Sequence, residues 1–252
     1  MGDKIKAKEL AKSLNIPVVP GYEGEISTEN EAIKIVEEIG YPVIIKASAG
    51  GGGRGMRVVN SSDELWQSIQ SAQNEAELAF GDGKIFIEKY LKKPRHIEVQ
   101  IFGNGKGEAV HLFTRDCSLQ RKYQKIVEEA PALNIDNQKL EEIQNLSVEA
   151  CKKLNYEGAG TIEFLYENND FYFIEMNTRI QVEHTVTEMI TGVDLVQAQL
   201  LLALENKYDF KQEDLKVNGH AMQCRINAED PETFVPSPGR IERVHRLSLI
   251  HI

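Results

Sequence analysis

Cysteine is scarce in this chain, and its cysteines lie far apart. Of 252 residues only three are cysteines, Cys117, Cys151 and Cys224, and no two form a Cys-x-x-Cys pair. Zinc sites and disulfide frameworks depend on closely spaced or numerous cysteines, so neither is indicated. A low cysteine content fits a reducing compartment, and we expect a cytoplasmic protein.

Long apolar runs and an excess of positive charge are also missing. No run approaches the roughly 20 apolar residues that span a bilayer, and the charged start, Met-Gly-Asp-Lys-Ile-Lys, has neither a signal-peptide core nor a myristoylation motif. The formal net charge of −10 argues against a polynucleotide surface. We therefore expect neither membrane nor nucleic acid among its partners.

The chain does contain enough apolar sequence for a sizeable core. Hydrophobic residues make up 41% of it, which at this length suffices for one large or two small domains. Caps and periodicity predict helices at about 4–14, 29–39, 62–80, 137–154 and 187–205, with a loop at 17–24. Aromatic and β-branched runs predict strands near 43–46, 57–59, 85–88, 96–102, 108–115, 161–166 and 171–175. This order of elements indicates an α+β fold.

One segment, residues 174–184, carries polar side chains at alternate positions. The polar positions are Glu175, Asn177, Arg179, Gln181 and Glu183. The apolar positions between them are Ile174, Met176, Ile180 and Val182. Because an extended chain turns alternate side chains to one side, the pattern predicts a polar edge suited to binding and an opposite face in a core.

The two runs before this segment predict a hairpin around Glu-Asn-Asn-Asp at 167–170. With a three-residue loop, in which Glu167 pairs with Phe171, Glu163 lies directly opposite Glu175. A two- or four-residue loop places the two glutamates on opposite faces. Directly opposed like charges destabilise a sheet by a few tenths to about 1 kcal/mol, so the first arrangement requires a cation.

A hard cation with few protein oxygen ligands is typically Mg²⁺, which keeps water and phosphate oxygens in its other positions. Either glutamate alone is better interpreted as a solvated residue of an edge hairpin. Because Asn177 follows two places after Glu175, the pattern favours a metal site formed by Glu163, Glu175 and Asn177.

A glycine run follows the short apolar strand that ends at Lys46. Residues 47–57 read Ala-Ser-Ala-Gly-Gly-Gly-Gly-Arg-Gly-Met-Arg, which matches neither the P-loop nor the dinucleotide fingerprint. Consecutive glycines let backbone N–H groups wrap anionic oxygens. A glycine run standing alone is more often a linker. Because Val58 resumes an apolar strand at once, we predict a flap between two strands, with Lys46 contacting phosphate.

Several longer motifs are specific enough to indicate a family. They are Lys-Ala-Ser-x-Gly-Gly-Gly-Gly-Arg-Gly-Met-Arg at 46–57, Glu-Lys-Tyr-Leu at 88–91, Pro-Arg-His-Ile-Glu-Val-Gln at 94–100, Arg-Asp-Cys-Ser at 115–118, Gln-Lys-Ile-Val-Glu-Glu-Ala-Pro at 124–131, Phe-Ile-Glu-Met-Asn-Thr-Arg-Ile-Gln-Val-Glu-His at 173–184 and Cys-Arg-Ile-Asn-Ala-Glu-Asp-Pro at 224–231. The chain resembles the biotin carboxylase component of biotin-dependent carboxylases from residue 1 to about 245.

The resemblance implies an ATP-grasp fold, in which two α+β lobes enclose ATP. It implies a helix and linker at 1–17, a lid lobe at 18–90, a large lobe at 91–245 and a tail outside the family pattern at 246–252. The hinge would lie near 88–92. An N-terminal α/β domain and a C-terminal continuation of the family are missing.

The family carboxylates biotin, held on a carrier protein or domain, with bicarbonate and ATP through carboxyphosphate. The resemblance thus implies ATP and Mg²⁺, or Mn²⁺, as cofactors, with the metal on Glu163, Glu175 and Asn177. The nucleotide contacts that it implies are Lys4, Lys46, Gly52, Gly53, Glu88, Lys89, Tyr90, Leu91, His96 and Tyr123, where many relatives carry a histidine at the last position.

Bicarbonate would be surrounded by Lys125, Arg179, Gln181, Val182 and Glu183. A paired hydrogen bond from Arg179 would fix it, and Glu183 would act as general base. Arg225 matches the family arginine that faces biotin, although from sequence an ion pair with Glu229 or Asp230 is about as good an interpretation. His184 is expected to be structural.

Three functional hypotheses follow. The chain is part of a biotin carboxylase from an acetyl-, propionyl- or pyruvate-carboxylating system, with fatty acid biosynthesis as one expected role and a homo-oligomeric parent. Alternatively, it is a nucleotide-binding module that is inactive as given. The third is another ATP-grasp ligase, such as a carbamoyl-phosphate-type enzyme.

Overall fold

A computed structural model describes residues 4–22, 24, 26–47, 56–122, 124–208, 210–240 and 242–243, without the side chains of 4–6 and 80. The helices are α1 (Lys4–Ser13), α2 (Glu29–Ile39), α3 (Leu65–Phe80), α4 (Asn137–Lys153), α5 (His184–Thr191) and α6 (Leu195–Glu205), with short 3₁₀ turns at Ser62–Glu64 and Gln212–Asp214. The strands are β1 (Gly21–Tyr22), β2 (Val43–Ala47), β3 (Met56–Val59), β4 (Ile85–Lys89), β5 (Arg95–Asn104), β6 (Ala109–Arg121), β7 (Gln124–Ala130), β8 (Glu157–Glu167), β9 (Asp170–Asn177) and β10 (Ala221–Cys224).

The strands form two antiparallel sheets with separate cores. The smaller sheet has the order β1-β4-β2-β3, and α2 and α3 pack on it. The larger has the order β10-β7-β6-β5-β8-β9. In β5, Ile97, Val99 and Ile101 lie in the core shared with α1 and α4, whereas Phe102 packs with α6 on the other face. The polar residues between them, Glu98 and Gln100, are buried on this second face.

Most predicted helices are confirmed because their ends carry local signals. The side chain of Thr28 caps α2 by accepting from the N–H of Glu31, and α2 ends at Gly40. Asp136 caps α4 through the N–H groups of Gln138 and Lys139.

The prediction of one helix from about 187 to 205 is wrong. Gly192 adopts a left-handed conformation with φ 73°, which ends α5, and Asp194 caps α6. Among the described residues, no single helix is long and apolar enough to cross a membrane. Only α5 and α6 taken together meet such a criterion, and they are bent by 91°.

Three strands, β1, β7 and β10, were not predicted. The loop expected at 17–24 contains β1, which pairs with β4, and β10 pairs with β7. These strands are too short or too charged for a periodic signal, and most of their hydrogen-bonding partners come from distant sequence.

The glutamate hairpin has the predicted register but not the predicted loop. Glu167 pairs with Asp170, so the loop has two residues, and both Asn168 and Asn169 have positive φ, 54° and 68°. A β-bulge between the two ends of the hairpin shifts the register by one residue, and Glu163 lies opposite Glu175. The bulge, rather than a three-residue loop, brings the two carboxylates to one face.

The alternation predicted for residues 174–184 holds only in part. The strand ends at Asn177, and residues 178–183 form turns that lead into α5. Met176 is buried as expected, but Ile174 lines the cleft described below and Val182 is 59% exposed. The core face predicted for the last two is therefore wrong.

The turn at Asn168 and Asn169 gives a stability prediction. A β-branched residue is strained in the left-handed region, so Asn169→Val should lower the free energy of unfolding by about 1–2 kcal/mol. Urea unfolding of the chain measures this, and Asn169→Gly, which tolerates the conformation, is the matched control. Equal stability of the valine and glycine variants would contradict the assigned turn.

Candidate active site

A cleft of about 1140 Å³ opens between the two sheets. The predicted site residues that line it are Lys46, Glu88, Lys89, Tyr90, Leu91, His96, Lys125, Glu163, Glu175, Asn177, Arg179, Gln181, Val182, Glu183 and Arg225. Gly52, Gly53, Tyr123 and the side chain of Lys4 lie outside the described residues. The structure therefore brings together predicted residues from the small sheet, the large sheet and the turns before α5.

Lys125, on β7, is the centre of the charged network in this cleft. Its Nζ donates to Glu163 Oε1 at 2.8 Å and Glu183 Oε1 at 2.7 Å, and also to Glu98 Oε1. Burial lowers the pKa of Lys125, but Glu98 and Glu163 outweigh it, so its pKa rises above the usual value. Lys125 is thus held as an ammonium among carboxylates from different elements.

Glu163 receives several further donors. Its Oε1 accepts from Asn177 Nδ2 at 2.9 Å and from Gln181 Nε2 at 2.8 Å. Its Oε2 lies 3.0 Å from His96 Nε2. Burial raises the pKa of Glu163, but the positive charge of His96 and Lys125 outweighs it, and the pKa falls below its usual value. The carboxylate is therefore held ionised.

The Glu163, Glu175 and Asn177 set fits a hard divalent cation. The two carboxylates are direct partners across β8 and β9, and both line the cleft. Because Asn177 donates through Nδ2 to Glu163, its Oδ1 is turned elsewhere and accepts a long contact from Arg179 at 3.4 Å. Oxygen donors from opposed acidic groups are the ligands that Mg²⁺ prefers.

Glu183 stands between two cations. Its Oε1 accepts from Lys125, and its Oε2 accepts from Arg225 Nη2 at 2.8 Å. Arg225 also donates from Nε to Glu128 Oε1 at 2.5 Å. The ion pair of Arg225 with Glu229 or Asp230, considered from the sequence, is wrong.

The two rejected partners are engaged elsewhere. Glu229 binds Arg121 through both oxygens, at 2.8 and 2.6 Å. Asp230 accepts from Thr233 and the N–H of Glu232 within its own turn. Arg225 therefore belongs to the cleft network rather than to the turn that follows it.

Arg115 and Glu98 are site residues that the sequence reasoning missed. Arg115 is fully buried and donates to Glu98, Gln100, Thr161, Gln181 and Thr187. Burial raises the pKa of Glu98, yet Arg115, His96 and Lys125 lower it further, so Glu98 stays ionised. A signal was present for Glu98, since it follows His96 by two positions in a strand and therefore shares its face. Nothing local distinguished Arg115.

Near the small sheet, Glu88 is almost fully buried and accepts from two lysines. Lys46 Nζ lies 2.6 Å from Glu88 Oε2, and Lys8 from α1 donates to Oε1. Lys8 was not predicted. The Lys89 side chain donates to the carbonyls of Gly40 and Tyr41 at 2.9 Å, so its ammonium is engaged at the end of α2.

Comparison with known proteins agrees with this geometry. The family model of the carbamoyl-phosphate synthase L chain, ATP binding domain, matches residues 3–211. The chain belongs to this family. It is 54% identical to the biotin carboxylase of Pseudomonas aeruginosa, over 97% of this chain and 55% of that protein. It is 56% identical to the biotin carboxylase of Haemophilus influenzae, with the same coverage, 97% and 55%.

Solved structures support the same assignment. A biotin carboxylase complex with β-γ-ATP from Campylobacter jejuni has a TM-score of 0.83 at 50% identity, covering 96% of this chain and 55% of that one. The biotin carboxylase domain dimer of Hydrogenobacter thermophilus 2-oxoglutarate carboxylase, with MgADP, ADP and bicarbonate, has a TM-score of 0.83 at 49% identity, covering 98% and 55%. The predicted α+β, ATP-grasp fold and the resemblance to biotin carboxylases are confirmed. The chain spans about half the length of these relatives.

His96 gives a prediction for pH dependence. Burial lowers its pKa, but Glu163 and Glu98 outweigh burial and raise it from 6.5 to about 9. Because the folded pKa is the higher one, the native state binds the proton more tightly. The resulting stabilisation is fully present below pH 6.5 and is lost as the pH rises through about 9.

NMR titration of the His96 ring in the chain, with urea unfolding at the same pH values, measures both effects. Glu163→Gln is the comparison variant, and its His96 midpoint should move down because one carboxylate is lost. A wild-type midpoint at or below 6.5 would contradict the proposed ion pairs.

Proposed function

We propose that this chain is the ATP-binding part of a biotin carboxylase, which uses ATP, Mg²⁺ and bicarbonate to carboxylate biotin through carboxyphosphate. The observation that carries the proposal is the placement of Lys125. Its ammonium connects Glu163, of the metal set, with Glu183, which contacts Arg225. The groups for phosphoryl transfer and those for proton transfer therefore lie in one continuous network.

The nucleotide would lie between the sheets. Val19, Ile44, Met56, Leu165 and Ile174 give the cleft apolar walls suited to a base, beside the hinge residues 88–91. Lys46 would contact the phosphates, with His96 near the ribose. Glu163, Glu175 and Asn177 would hold Mg²⁺, which neutralises charge on the terminal phosphates.

Bicarbonate would lie among Lys125, Arg179, Gln181, Val182 and Glu183. Arg179 is exposed to the cleft and offers a planar donor pair that aligns the anion for attack on phosphorus. Glu183 is the base of this proposal. Since Lys125 and Arg225 occupy its two oxygens, one of these contacts must open before Glu183 accepts a proton.

Arg225 would face biotin and stabilise the charge of its deprotonated form. The partner would be a biotin carrier protein or domain. We also propose a cytoplasmic homo-oligomer, in line with the domain dimer described for the Hydrogenobacter relative. Relatives include one component of a pyruvate carboxylase and the small component of a 2-oxoglutarate carboxylase, so fatty acid biosynthesis is one of several roles that the fold can serve.

The test of the function uses the complete protein, extended on both flanks to the length of its relatives. It should release phosphate from ATP in a reaction that depends on bicarbonate and increases with free biotin. Stimulation by an amine instead of biotin would favour a carbamoyl-phosphate-type ligase, an alternative supported by the family description. Nucleotide binding by both proteins, without turnover after completion, would favour the binding module.

The metal assignment is tested by Glu175→Gln in the complete protein. Removal of one carboxylate from the opposed pair should lower Mg²⁺-dependent ATP turnover by about 10²-fold, because charge on the phosphates is no longer neutralised. Phosphate release at increasing Mg²⁺ concentration measures the effect. Glu157→Gln, an exposed glutamate at the start of β8, makes the same chemical change outside the cleft. Near-normal turnover of Glu175→Gln would remove the metal role.

A further inference from the structure

We propose that Glu128 is a positioning residue for Arg225, holding the Nε side of its guanidinium so that Nη2 reaches Glu183. The inference rests on the proposed function, in which Arg225 faces biotin and Glu183 is the base. Glu128 itself does not line the cleft. It lies beneath Arg225 and acts through it.

The first argument is the unusual state of the Glu128 carboxylate. Glu128 lies on β7 and is fully buried. Its Oε1 accepts from Arg225 Nε, while its Oε2 has no hydrogen-bond partner among the described residues. An ionised carboxylate is costly to bury unless it is paired, and Arg225 is the cation that the structure places beside it. A buried acid with one satisfied oxygen is a poor source of fold stability, and this indicates a role through Arg225.

The second argument is the way the backbone presents Arg225. β10 pairs with β7, so that Gln223 lies opposite Glu128 and Cys224 opposite Val127. Arg225 comes directly after this pairing, and its N–H donates to the Ile126 carbonyl at 2.8 Å. The backbone is therefore fixed, but the long side chain still has to be aimed. The two contacts that aim it are Glu128 on Nε and Glu183 on Nη2.

The third argument is competition between the two carboxylates. Arginine prefers to give two parallel N–H groups to one carboxylate. Here Glu128 takes Nε, and Glu183 receives Nη2 alone. Without the charge on Glu128, the guanidinium would turn to bind Glu183 through two nitrogens. Glu183 would then be blocked as a base, and Arg225 would be withdrawn from biotin.

Neighbouring acids do not substitute for Glu128. Glu129, the next residue on β7, contacts His220 at 3.3 Å, and Glu229 binds Arg121. Glu129 therefore provides a matched control, since it has the same chemistry on the same strand without contact to Arg225.

The experiment compares Glu128→Gln, Glu128→Asp and Glu129→Gln in the complete protein. Glu128→Gln keeps the size and one acceptor oxygen but removes the charge. We expect kcat for biotin-dependent phosphate release to fall by about tenfold or more, with the KM for ATP unchanged. Glu128→Asp keeps the charge on a shorter side chain and should recover part of the rate. Glu129→Gln should behave as the wild type.

Two results would overturn the proposal. One is a wild-type rate in Glu128→Gln. The other is a loss that appears equally in kcat and in the KM for ATP and follows thermal stability across the variants, because that pattern indicates a purely structural acid.

A crystal structure of Glu128→Gln separates this inference from the proposed function. We expect Arg225 to contact Glu183 through two nitrogens there, and an Arg225 side chain in its original position would overturn the inference whatever the enzyme catalyses. Absence of biotin-dependent turnover in the wild-type complete protein would instead refute the proposed function.

Discussion

The ammonium of Lys125 is the interaction on which the candidate site depends. It neutralises three carboxylates that come from β5, β8 and the turn before α5. Without a cation at this point, Glu98, Glu163 and Glu183 would repel one another in a partly buried cleft where water screens poorly. The position of Lys125 on β7 lets one side chain connect the sheet with the start of a helix.

Local signals made much of the fold predictable from sequence. The cap of α2 at Thr28 and its end at Gly40 depend on residues within the helix and next to it, and so does the cap of α4. The break at Gly192 was missed because the apolar pattern continues across it. β1 and β10 were missed because their hydrogen-bonding partners, β4 and β7, lie far away in sequence.

The candidate site was predictable where residues alternate along a strand and less so where partners are distant. Glu163 and Glu175 were placed together correctly, although a bulge and not the loop sets their register. Arg115 and Glu128 were missed as site residues because a charged residue in a strand normally indicates a solvent-facing position. Their burial follows from cross-strand and helix contacts that no local pattern contains.

The arrangement around Glu88 has a consequence for ligand entry at the mouth of the cleft. This acid is shared by Lys46 of the small sheet and Lys8 of α1, a helix whose apolar side belongs to the core of the large sheet. If an anionic ligand draws Lys46 away, Lys8 remains to compensate the acid. The charge released toward the ligand is then not offset by an abandoned carboxylate, and the two sheets stay electrostatically linked through α1.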